Sequence, residues 1–459
     1  MSTYQVTNPA TGETTKTYDT HTDDEIRAAQ ERSHEAFQTW RETELSERTA
    51  TLKRIADAFR ERAEMLAEII SEEMGKSIPE GIGEAEFCGA IFDYYADNAE
   101  ALLADEPLRA AEPANAVIRR KPLGSLLGIM PWNFPYYQVA RFVAPNLALG
   151  NTILLKHASS CPRSAEVMEE IFHAAGVPED VYINIRATSD QVADIIIADP
   201  RNQGVSLTGS ERAGMSVAAT AGKHLKKVVL ELGGSDPYLL LSSDDLDETV
   251  DTFIKTRLRN VGQSCNSPKR MIIVEHLYDE FVEKAKAKLQ ERIPEDPTAE
   301  GSTLRPLSSK AAAETFVSQI DTAREQGATV LAGGAAYDRP GAWVQPALLV
   351  DVEPSMDAYS DEIFGPALMV FKAKDEAEAI RLANDTPFGL GAAVFSTDTE
   401  QAKRVADQID SGMVFVNTPE SSREFLPFGG VKRSGIGREL GPLAMDEFVN
   451  KQLVYIDEQ

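Results

Sequence analysis

The chain is short of cysteine. It has 459 residues but only three cysteines, which are odd in number and lie far apart, at Cys88, Cys161 and Cys265. A disulfide framework needs paired cysteines, so the sequence predicts a reducing compartment, which we expect to be the cytoplasm. Long apolar runs are also missing, which argues against a membrane-spanning helix. The segment MSTYQVTNPATGE has neither the basic flank nor the apolar stretch of a signal peptide.

Basic residues are outnumbered by acidic ones. The sequence has 46 Lys and Arg against 73 Asp and Glu, a formal net charge of −27. Such a surface repels nucleic acid and anionic membranes, so neither is an expected partner. The acidity fits either a highly soluble enzyme or adaptation to high salt. Full activity and stability in dilute buffer would count against salt adaptation.

Histidine is scarce as well, and the six histidines form no motif and show no metal-ligand spacing, so no metal is expected. A chain of this length is too long for one hydrophobic core. From Leu126 onwards short apolar strands such as LLGIM, TILLK and KVVLE alternate with helical stretches, which predicts βαβ units and parallel sheets. We expect two α/β domains that meet near Gly233–Gly234. The strand-like LVYI near the C-terminus needs an edge, either on another subunit or on the predicted strand 115–121.

One of the three cysteines stands in a polar segment, RNVGQSCN, over residues 259–266. Cys265 follows Gly262, Gln263 and Ser264, which are poor core residues. A free cysteine is commonly a small buried hydrophobe, and that alternative stays open on the local sequence alone. A polar turn that exposes a thiol suits a nucleophile, because substrate must reach the thiolate.

Two further residues are candidates for the chemistry that a nucleophilic thiol needs. Glu231 ends the apolar strand VVLE and is predicted at the carboxyl end of a parallel strand, where burial would raise its pKa towards that of a useful base. Asn133, in IMPWNFP, lies in a loop fixed by two prolines and could direct its amide at an oxyanion. The alternatives are a salt-bridged strand-end Glu and a proline-rich turn capped by Asn.

Another segment favours phosphate binding. GVSLTGSERAG, residues 204–214, is predicted as a strand, a Thr-Gly-Ser turn and a helix. The N-terminus of that helix could hold a phosphate with backbone N–H groups and the Ser210 hydroxyl. The segment is not a G-x-G-x-x-G sequence, so the motif alone is weak. Lys156, at the end of the strand TILLK, could reach a ribose or phosphate, or it could be a solvated lysine.

Together these residues describe a thiol nucleophile, an oxyanion donor, a base and a phosphate-binding crevice, a set that suits oxidation of a carbonyl through a thioester. In this combination the sequence resembles the NAD(P)-dependent aldehyde dehydrogenase superfamily over nearly its whole length. The resemblance is carried by PWNFP 131–135, LLKHAS 154–159, LTGSERAG 207–214, LELGGSDP 230–237, GQSC 262–265, EIFGP 362–366, NDTPFGL 384–390 and PFGGVKRSGIGRELG 427–441.

The resemblance implies a role for each matching position. Cys265 would be the nucleophile, Asn133 the oxyanion donor and Glu231 the base that activates water for thioester hydrolysis. Retention of Glu231 disfavours the family variant that transfers the acyl group to coenzyme A. The implied cofactor is NAD or NADP, and the implied contacts to it are Trp132, Lys156, His157, Ser159, Gly209, Ser210, Leu232, Glu362 and Phe364.

The resemblance also implies an α/β architecture, the aldehyde dehydrogenase-like fold. It comprises a Rossmann-type cofactor-binding domain over residues 1–108 and 123–233 and an α/β catalytic domain over 234–440. A small β oligomerisation arm would take in 109–122 and 441–459, and a homodimer or homotetramer is expected. The alternative from another class is a non-catalytic structural relative, which would not need Cys265, Glu231 and Asn133 together.

Within the superfamily the chain resembles the succinate-semialdehyde dehydrogenase branch, in which two arginines and a serine hold the substrate carboxylate. The matching positions are Arg141, Arg259 and Ser422, and guanidinium groups suit bidentate carboxylate binding. The alternatives are a helix-surface Arg141 with an ion-paired Arg259, and an aldehyde dehydrogenase of broad specificity. Arg423 is a further cation without an assigned role.

Three departures from the family pattern concern the cofactor and redox chemistry. Ser159 stands where many NAD-preferring members carry Glu, which would repel the 2′-phosphate of NADP, so NADP use is compatible with this sequence. His157 replaces the more common Pro. Position 267 is Ser267, so the paired-cysteine switch of some relatives is absent.

Overall fold

The computed structural model of the chain describes residues 4–108, 115–291 and 304–456, whose strands form four sheets. The strands are β1 Tyr4–Thr7, β2 Thr14–Tyr18, β3 Glu106–Pro107, β4 Asn115–Pro122, β5 Ser125–Met130, β6 Thr152–His157, β7 Tyr182–Asn184, β8 Asn202–Thr208, β9 Lys227–Glu231, β10 Asp236–Leu240, β11 Pro268–Val274, β12 Thr329–Ala332, β13 Ala347–Val350, β14 Ala367–Ala373, β15 Gly391–Phe395, β16 Met413–Val416, β17 Gly435–Ile436 and β18 Val449–Ile456.

The helices begin where the sequence provides caps. Thr22 and Glu25 form a capping box at the first helix, and prolines stand in the first turns of α5 and α6 below. The helices are α1 Asp23–Trp40, α2 Leu45–Glu61, α3 Ala63–Met74, α4 Ile78–Leu103, α5 Pro135–Leu149, α6 Pro162–Ala174, α7 Ser189–Gln191, α8 Glu211–Lys223, α9 Leu246–Leu258, α10 Glu275–Glu291, α11 Lys310–Gln326, α12 Asp357–Ser360, α13 Glu376–Asn384 and α14 Thr399–Ala406.

The first large sheet has the order β17-β9-β8-β5-β6-β7. All its neighbours are parallel except β17, which adds antiparallel to β9 through Gly435 and Ile436. The predicted parallel sheet is therefore confirmed for the first half of the chain. β17 comes from a part of the sequence that was predicted to belong to the second domain.

The second large sheet has the order β12-β13-β14-β11-β10-β15-β16, and only β12 runs antiparallel to its neighbour. Its central strands are buried throughout, as expected for strands covered by helices on both faces. This sheet confirms the second predicted series of strands and helices.

The strand near the C-terminus, β18, pairs antiparallel with β4 from Val449 opposite Pro122 to Ile456 opposite Asn115. Of the two predicted edges, the strand at 115–121 is therefore the one with which it pairs. Together with β3 these strands form a small separate sheet that leaves Leu453, Tyr455 and Ile456 exposed. Residues 109–114 and 457–459 of the predicted arm lie outside the described residues, as do 1–3 and 292–303 of the two predicted domains.

Helix α5 is the element that packs most deeply, and each of its residues is buried. It contacts α4, α2 and the first large sheet, and it directly follows the PWNFP segment. The loop that carries Asn133 is therefore fixed to a rigid element. Within the described ranges, no helix has both the length and the apolar character needed to cross a bilayer.

Candidate active site

The predicted site residues gather between the two large sheets. β5, β6, β8 and β9 run parallel, so their carboxyl ends meet at one edge. Asn133 follows β5, Lys156 lies near the end of β6, Ser210 follows β8 and Glu231 ends β9. The second sheet contributes residues from segments that lead into its strands, and Cys265 precedes β11 in this way.

Cys265 follows a backbone turn of unusual conformation. In the 3-10 turn Arg259–Gly262, the φ angles of Asn260, Val261 and Gly262 are +49°, +55° and +73°. A Cβ at position 262 would lie 2.4 Å from the carbonyl oxygen of Gly365, so only glycine fits there. For the β-branched Val261 a positive φ is an outlier, and such strained backbone is concentrated at functional sites.

The side chain of Cys265 is partly exposed and opens onto a cavity of about 320 Å³. Burial raises the pKa of its thiol to about 12, while the positive charges of Arg141 and Lys269 act in the opposite direction. The thiol is therefore protonated at neutral pH in the free protein. Its use as a nucleophile requires a change in its surroundings, because the thiolate is the reactive form.

Asn133 lies directly against the nucleophile turn. Its side-chain Nδ2 donates to the carbonyl oxygen of Gln263 at 3.2 Å, and its own carbonyl oxygen accepts from Asn260 Nδ2 at 2.9 Å. Gln138 Nε2 donates to Asn133 Oδ1 at 3.4 Å, which orients the amide so that its NH₂ faces the turn. One N–H of the Asn133 amide can thus be offered to an oxygen beside Cys265.

A buried ion pair that sequence reasoning missed holds this loop. The side chains of Lys76 and Glu84 are almost fully buried and form a salt bridge. Lys76 Nζ donates to the carbonyl oxygen of Asn133 at 2.8 Å, while Glu84 Oε1 accepts from the backbone N–H groups of Tyr136 and Tyr137 at 2.9 and 3.1 Å. The sequence carries no signal for this pair, since a lysine in the loop before a helix and a glutamate in that helix ordinarily lie at the surface.

Glu231 is 1% exposed at the end of β9, as predicted. Neither of its carboxyl oxygens has a hydrogen-bond partner among the described residues. Burial raises the pKa of Glu231 well above its usual range, the charge of Arg141 opposes this, and Glu439 adds to it. A Cβ at Gly429 would lie 2.8 Å from Glu231 Oε1, so the absence of a side chain at Gly429 leaves room for this carboxyl group. The alternative of a salt-bridged strand-end Glu is wrong, because no ion pair holds this carboxylate in the described structure.

The surroundings of Arg141 differ from the prediction. Its side chain is completely buried and forms an ion pair with Glu439, so the alternative of a helix-surface residue is wrong. Arg141 Nη2 also donates to Thr208 Oγ1 at 3.0 Å, and the guanidinium lies over the ring of Phe428 at 4.6 Å. The residues that line the cavity beside Cys265 do not include Arg141.

Arg141 reaches the cavity only through another side chain. Its Nη1 donates to the hydroxyl of Tyr137 at 3.4 Å, and that hydroxyl donates to Ser422 Oγ at 3.4 Å. Arg259 and Ser422 line the cavity directly, and so does Arg423. Arg259 is exposed and makes no ion pair within the described part of the chain, so the alternative of an ion-paired Arg259 is wrong.

A second buried arginine, Arg257, was also missed by sequence reasoning. Its guanidinium donates to Gly262 O at 3.1 Å, Ile363 O at 3.0 Å, Gly365 O at 2.5 Å and Ser267 Oγ at 2.8 Å. Burial lowers the pKa of Arg257 to about 9. Because it donates to both segments, Arg257 ties the nucleophile turn to the segment that follows Glu362.

The predicted phosphate and ribose contacts lie at the edge of the first sheet. Ser210 is exposed and caps α8, where its hydroxyl accepts from Ala213 N at 3.4 Å, and Gly209 N donates to Glu231 O at 2.9 Å. Lys156 has no carboxylate partner among the described residues, and burial lowers its pKa. A helix N-terminus with an uncompensated lysine nearby fits a dinucleotide phosphate and ribose.

His157 and Ser159 follow Lys156 in the same segment. His157 is buried, with Nε2 at 3.0 Å from Pro135 O and Nδ1 accepting from Ala158 N at 2.8 Å. It therefore supports the PWNFP loop and has no direct access to a ligand. Ser159 is partly exposed, and its carbonyl oxygen accepts from Gln5 N at 3.0 Å.

The remaining predicted cofactor contacts surround the nucleophile. Trp132 meets the ring of Phe364 edge-on at 5.8 Å, and both side chains are partly exposed. Glu362 Oε1 accepts from Gly234 N at 3.1 Å. Leu232 is buried and packs against Gly214 of α8. Partly exposed aromatic rings and a partly exposed carboxylate fit a ribose and its attached base, so this part of the structure is compatible with a dinucleotide.

The fold and the site define a class of enzyme. A partly exposed thiol, an amide donor held against its turn and a buried carboxyl group whose charge acts on the thiol lie at a dinucleotide-type edge of a parallel sheet. The pattern described as the aldehyde dehydrogenase family matches residues 1–454. The chain belongs to the aldehyde dehydrogenase family, which confirms the resemblance, the predicted fold and the predicted enzyme class.

Individual relatives narrow the comparison. The chain is 49% identical to a succinate-semialdehyde dehydrogenase (NADP+) of Deinococcus radiodurans, over 98% of this chain and 94% of the relative. It is 42% identical to succinate-semialdehyde dehydrogenase (NADP+) 1 of Mycobacterium bovis, over 98% of both chains. The crystal structure of succinic semialdehyde dehydrogenase from Streptococcus pyogenes, in complex with NADP+, superposes with a TM-score of 0.96 at 42% identity and covers 99% of this chain and 100% of that one.

Proposed function

We propose that this protein oxidises succinate semialdehyde to succinate with NADP+ through a thioester on Cys265. The observation that carries the proposal is one cavity that exposes the Cys265 thiol together with Arg259 and Ser422. A substrate with an aldehyde at one end and a carboxylate at the other matches these two sets of groups. The names of the relatives that share 42% to 49% of this sequence support the same substrate.

The substrate carboxylate binds at the end of the cavity that carries Arg259. Its guanidinium and the Ser422 hydroxyl donate hydrogen bonds to the carboxylate oxygens. In place of the direct contact predicted for Arg141, the proposal assigns a supporting role to this residue. Arg141 orients the Tyr137 hydroxyl, which donates to Ser422 Oγ at 3.4 Å and so leaves the Ser422 hydroxyl proton free for the carboxylate.

The chemistry takes place at the other end of the substrate. The Cys265 thiolate attacks the aldehyde carbon, and the Asn133 amide stabilises the oxyanion, an effect worth roughly 3–4 kcal/mol per donor. Loss of hydride then leaves a thioester. Glu231 takes a proton from water, the water attacks the thioester, and succinate and the free thiol are released.

NADP+, when bound, accepts the hydride that leaves the substrate carbon. Lys156 and Glu362 hold the two ribose units, the α8 N-terminus and Ser210 hold the pyrophosphate, and Trp132, Leu232 and Phe364 flank the nicotinamide path. Ser159 brings no negative charge against the 2′-phosphate, which favours NADP+ over NAD+. His157 and Gly209 shape this region through the backbone contacts described above.

We also propose that the enzyme is a cytoplasmic homodimer or homotetramer with the predicted domain bounds. Three large apolar or aromatic side chains of β18, Leu453, Tyr455 and Ile456, are more than half exposed in the single chain. Such a row on a paired strand is typical of a surface that another subunit covers. The three free cysteines support a reducing compartment.

The proposal is tested by steady-state kinetics on succinate semialdehyde, propanal and benzaldehyde, with NAD+ and NADP+ in parallel. In Arg259→Ala, kcat/KM for succinate semialdehyde should fall by about 10- to 100-fold, because a charge-assisted hydrogen bond is worth roughly 1.5–3 kcal/mol. The values for propanal and benzaldehyde should stay close to those of the parent.

The matched control is Arg324→Ala, which removes an exposed arginine of α11 that pairs with the surface residue Asp321. It should leave all three specificity constants unchanged. Equal specificity constants for the three aldehydes in the parent enzyme, or an equal loss for all three in Arg259→Ala, would overturn the assignment of the substrate.

A further inference from the structure

Lys269 lies beneath the nucleophile, and its side chain is completely buried. It is the second residue of β11, and its Nζ donates to the carbonyl oxygens of Ser264 and Cys265 at 2.8 and 3.0 Å. The same Nζ lies 3.1 Å from Glu362 Oε1. A buried ammonium group is costly unless it is paired, so these contacts fix its position. One cation thus joins the backbone of the nucleophile to a carboxylate on another segment.

Two further carboxyl groups lie near Lys269, at Asp236 and Glu420. Both are buried and lie beside each other, since a Cβ at Gly391 would lie 2.6 Å from Asp236 Oδ2 and 2.9 Å from Glu420 Oε2, and burial raises the pKa of Asp236 to about 7. Burial and the neighbouring Asp236 raise the pKa of Glu420 well above its usual range. Burial therefore disfavours the charged form of both groups. Glu362, the carboxylate in direct contact, is the main counter-ion of Lys269.

Glu362 differs from this pair because it is partly exposed, on the side where the cofactor is proposed to bind. In the proposed function it contacts a cofactor ribose, and the following inference rests on that function. Ribose hydroxyls that donate to the Glu362 carboxylate take over part of its negative charge. The charge of Lys269 is then less neutralised where it acts on Cys265.

We infer that Lys269 is a positioning residue through which a ribose bound at Glu362 makes Cys265 more reactive. The charges around the thiol agree with this direction, because Lys269 favours the thiolate form and Glu362 opposes it. The contact from the ribose through Glu362 and Lys269 explains how a thiol that is protonated in the free enzyme becomes a nucleophile once the cofactor is present. The titratable groups whose charges act on the thiol include Arg141 and Tyr137 from α5, Glu231 from β9, Lys269 from β11 and Glu362. The charged side chains that line the cavity with it are Lys76, Glu80, Glu84, Arg259 and Arg423.

The test measures the rate of Cys265 alkylation by iodoacetamide as a function of pH, with no aldehyde present. ADP-ribose 2′-phosphate serves as the probe. It carries the ribose next to the nicotinamide, which is the one proposed to contact Glu362, but it has no nicotinamide that would shield the thiol. 2′-Phosphoadenosine 5′-phosphate serves as the control, because it lacks that ribose. The probe should move the alkylation midpoint of the parent enzyme to lower pH by about one unit, which is a tenfold faster reaction below the midpoint. The control compound should not move it.

In Lys269→Met the midpoint of the free protein should lie above that of the parent, and the probe should no longer shift it. A residue that acted only in packing would alter the unfolding temperature and leave the midpoint and its response intact. The inference is overturned if Lys269→Met shows the parental midpoint and the parental response to the probe.

A second variant keeps the test decisive if Lys269→Met does not fold. Glu362→Gln removes the counter-ion at a partly exposed position, so its free protein should already show the lowered midpoint and no further response. An unchanged midpoint in Glu362→Gln also overturns the inference. If the enzyme binds ADP-ribose but not ADP-ribose 2′-phosphate, the proposal that NADP+ is the cofactor fails. The inference about Lys269 is then tested with ADP-ribose as the probe.

Discussion

The two sides of the active site hold their reactive groups differently. On the side of Cys265, the cations Arg257 and Lys269 donate to backbone carbonyl oxygens of the nucleophile segment. On the side of Glu231, Arg141 is paired with a carboxylate, Glu439. The pKa values follow this difference, because burial lowers that of Arg257 to about 9, while the pairing keeps that of Arg141 above its ordinary value.

The difference shows how each side serves its step. The nucleophile segment is a strained turn that backbone contacts to buried cations keep in one shape, so the position of the thiol is fixed. The base side is a network of charges, in which the protonation of Glu231 depends on Arg141 and Glu439. We therefore expect substitutions on the Cys265 side to stop the reaction before NADP+ is reduced. Substitutions on the Glu231 side should stop it after that step.

The largest effect is expected for Cys265→Ala. Without the thiol no covalent adduct forms, so the rate of NADPH formation should fall by at least on the order of 10⁴-fold, in the first turnover as well as in the steady state. Stopped-flow absorbance with succinate semialdehyde measures both phases. Cys161→Ala, which changes a buried thiol elsewhere, is the control and should keep a normal first turnover. A first turnover that survived in Cys265→Ala would contradict the role of this residue.

A smaller effect, confined to the later step, is expected for Glu231→Gln. General-base catalysis contributes about 10²- to 10⁴-fold, so the steady-state rate should fall by a factor in that range. The first turnover should remain, because adduct formation and hydride loss do not use this carboxylate. If the first turnover were lost together with the steady state, the two sides of the site could not be assigned to separate steps.

The smallest effect is expected on the free energy of unfolding, through His157, which supports the PWNFP loop. His157 is held by backbone atoms alone, and burial lowers its pKa to about 4. Unfolded histidine titrates near pH 6.5, so between these values the unfolded chain binds more protons and stability falls as the pH is lowered. The free energy of unfolding should therefore drop by about 3 kcal/mol from this residue between about pH 7 and pH 4.

Urea unfolding of the parent and of His157→Asn at both pH values measures this contribution. The variant should be less stable at pH 7, and its deficit should shrink or disappear at pH 4. His276→Asn, at an exposed histidine, is the control and should follow the parent at both pH values. A deficit of the same size at both pH values would show that protonation of His157 does not oppose folding.

Much of this arrangement could be predicted from the sequence because it is encoded locally. Strand and helix alternation gave both parallel sheets, and the residues at strand ends, such as Asn133 and Glu231, had to meet at one edge. The polar segment around Cys265 marked a thiol outside the core. The need of an isolated strand for an edge predicted either another subunit or β4 as the partner of β18, and the structure has the second.

The supporting contacts could not be predicted, because they join residues far apart in the sequence. Arg141 has the position expected of a carboxylate-binding residue, yet in the structure its partner is Glu439 near the C-terminal end. Lys76 lies in the loop between α3 and α4 and Arg257 in the amphipathic helix α9, and nothing in their neighbours indicates complete burial. One signal of buried supporting contacts was available. Two adjacent cations, Lys269 and Arg270, stand at the start of the apolar strand MIIV, where charged side chains need buried partners.

The most direct test of the account is to trap the thioester. Glu231→Gln is mixed with succinate semialdehyde and NADP+, quenched with acid and digested, and the cysteine-containing peptides are examined by mass spectrometry. The account predicts one equivalent of NADPH per chain and a succinyl group on the peptide that contains Cys265. Absence of the acyl group from this peptide after NADPH has formed, or its presence on the peptide of Cys88 or Cys161, would contradict the account.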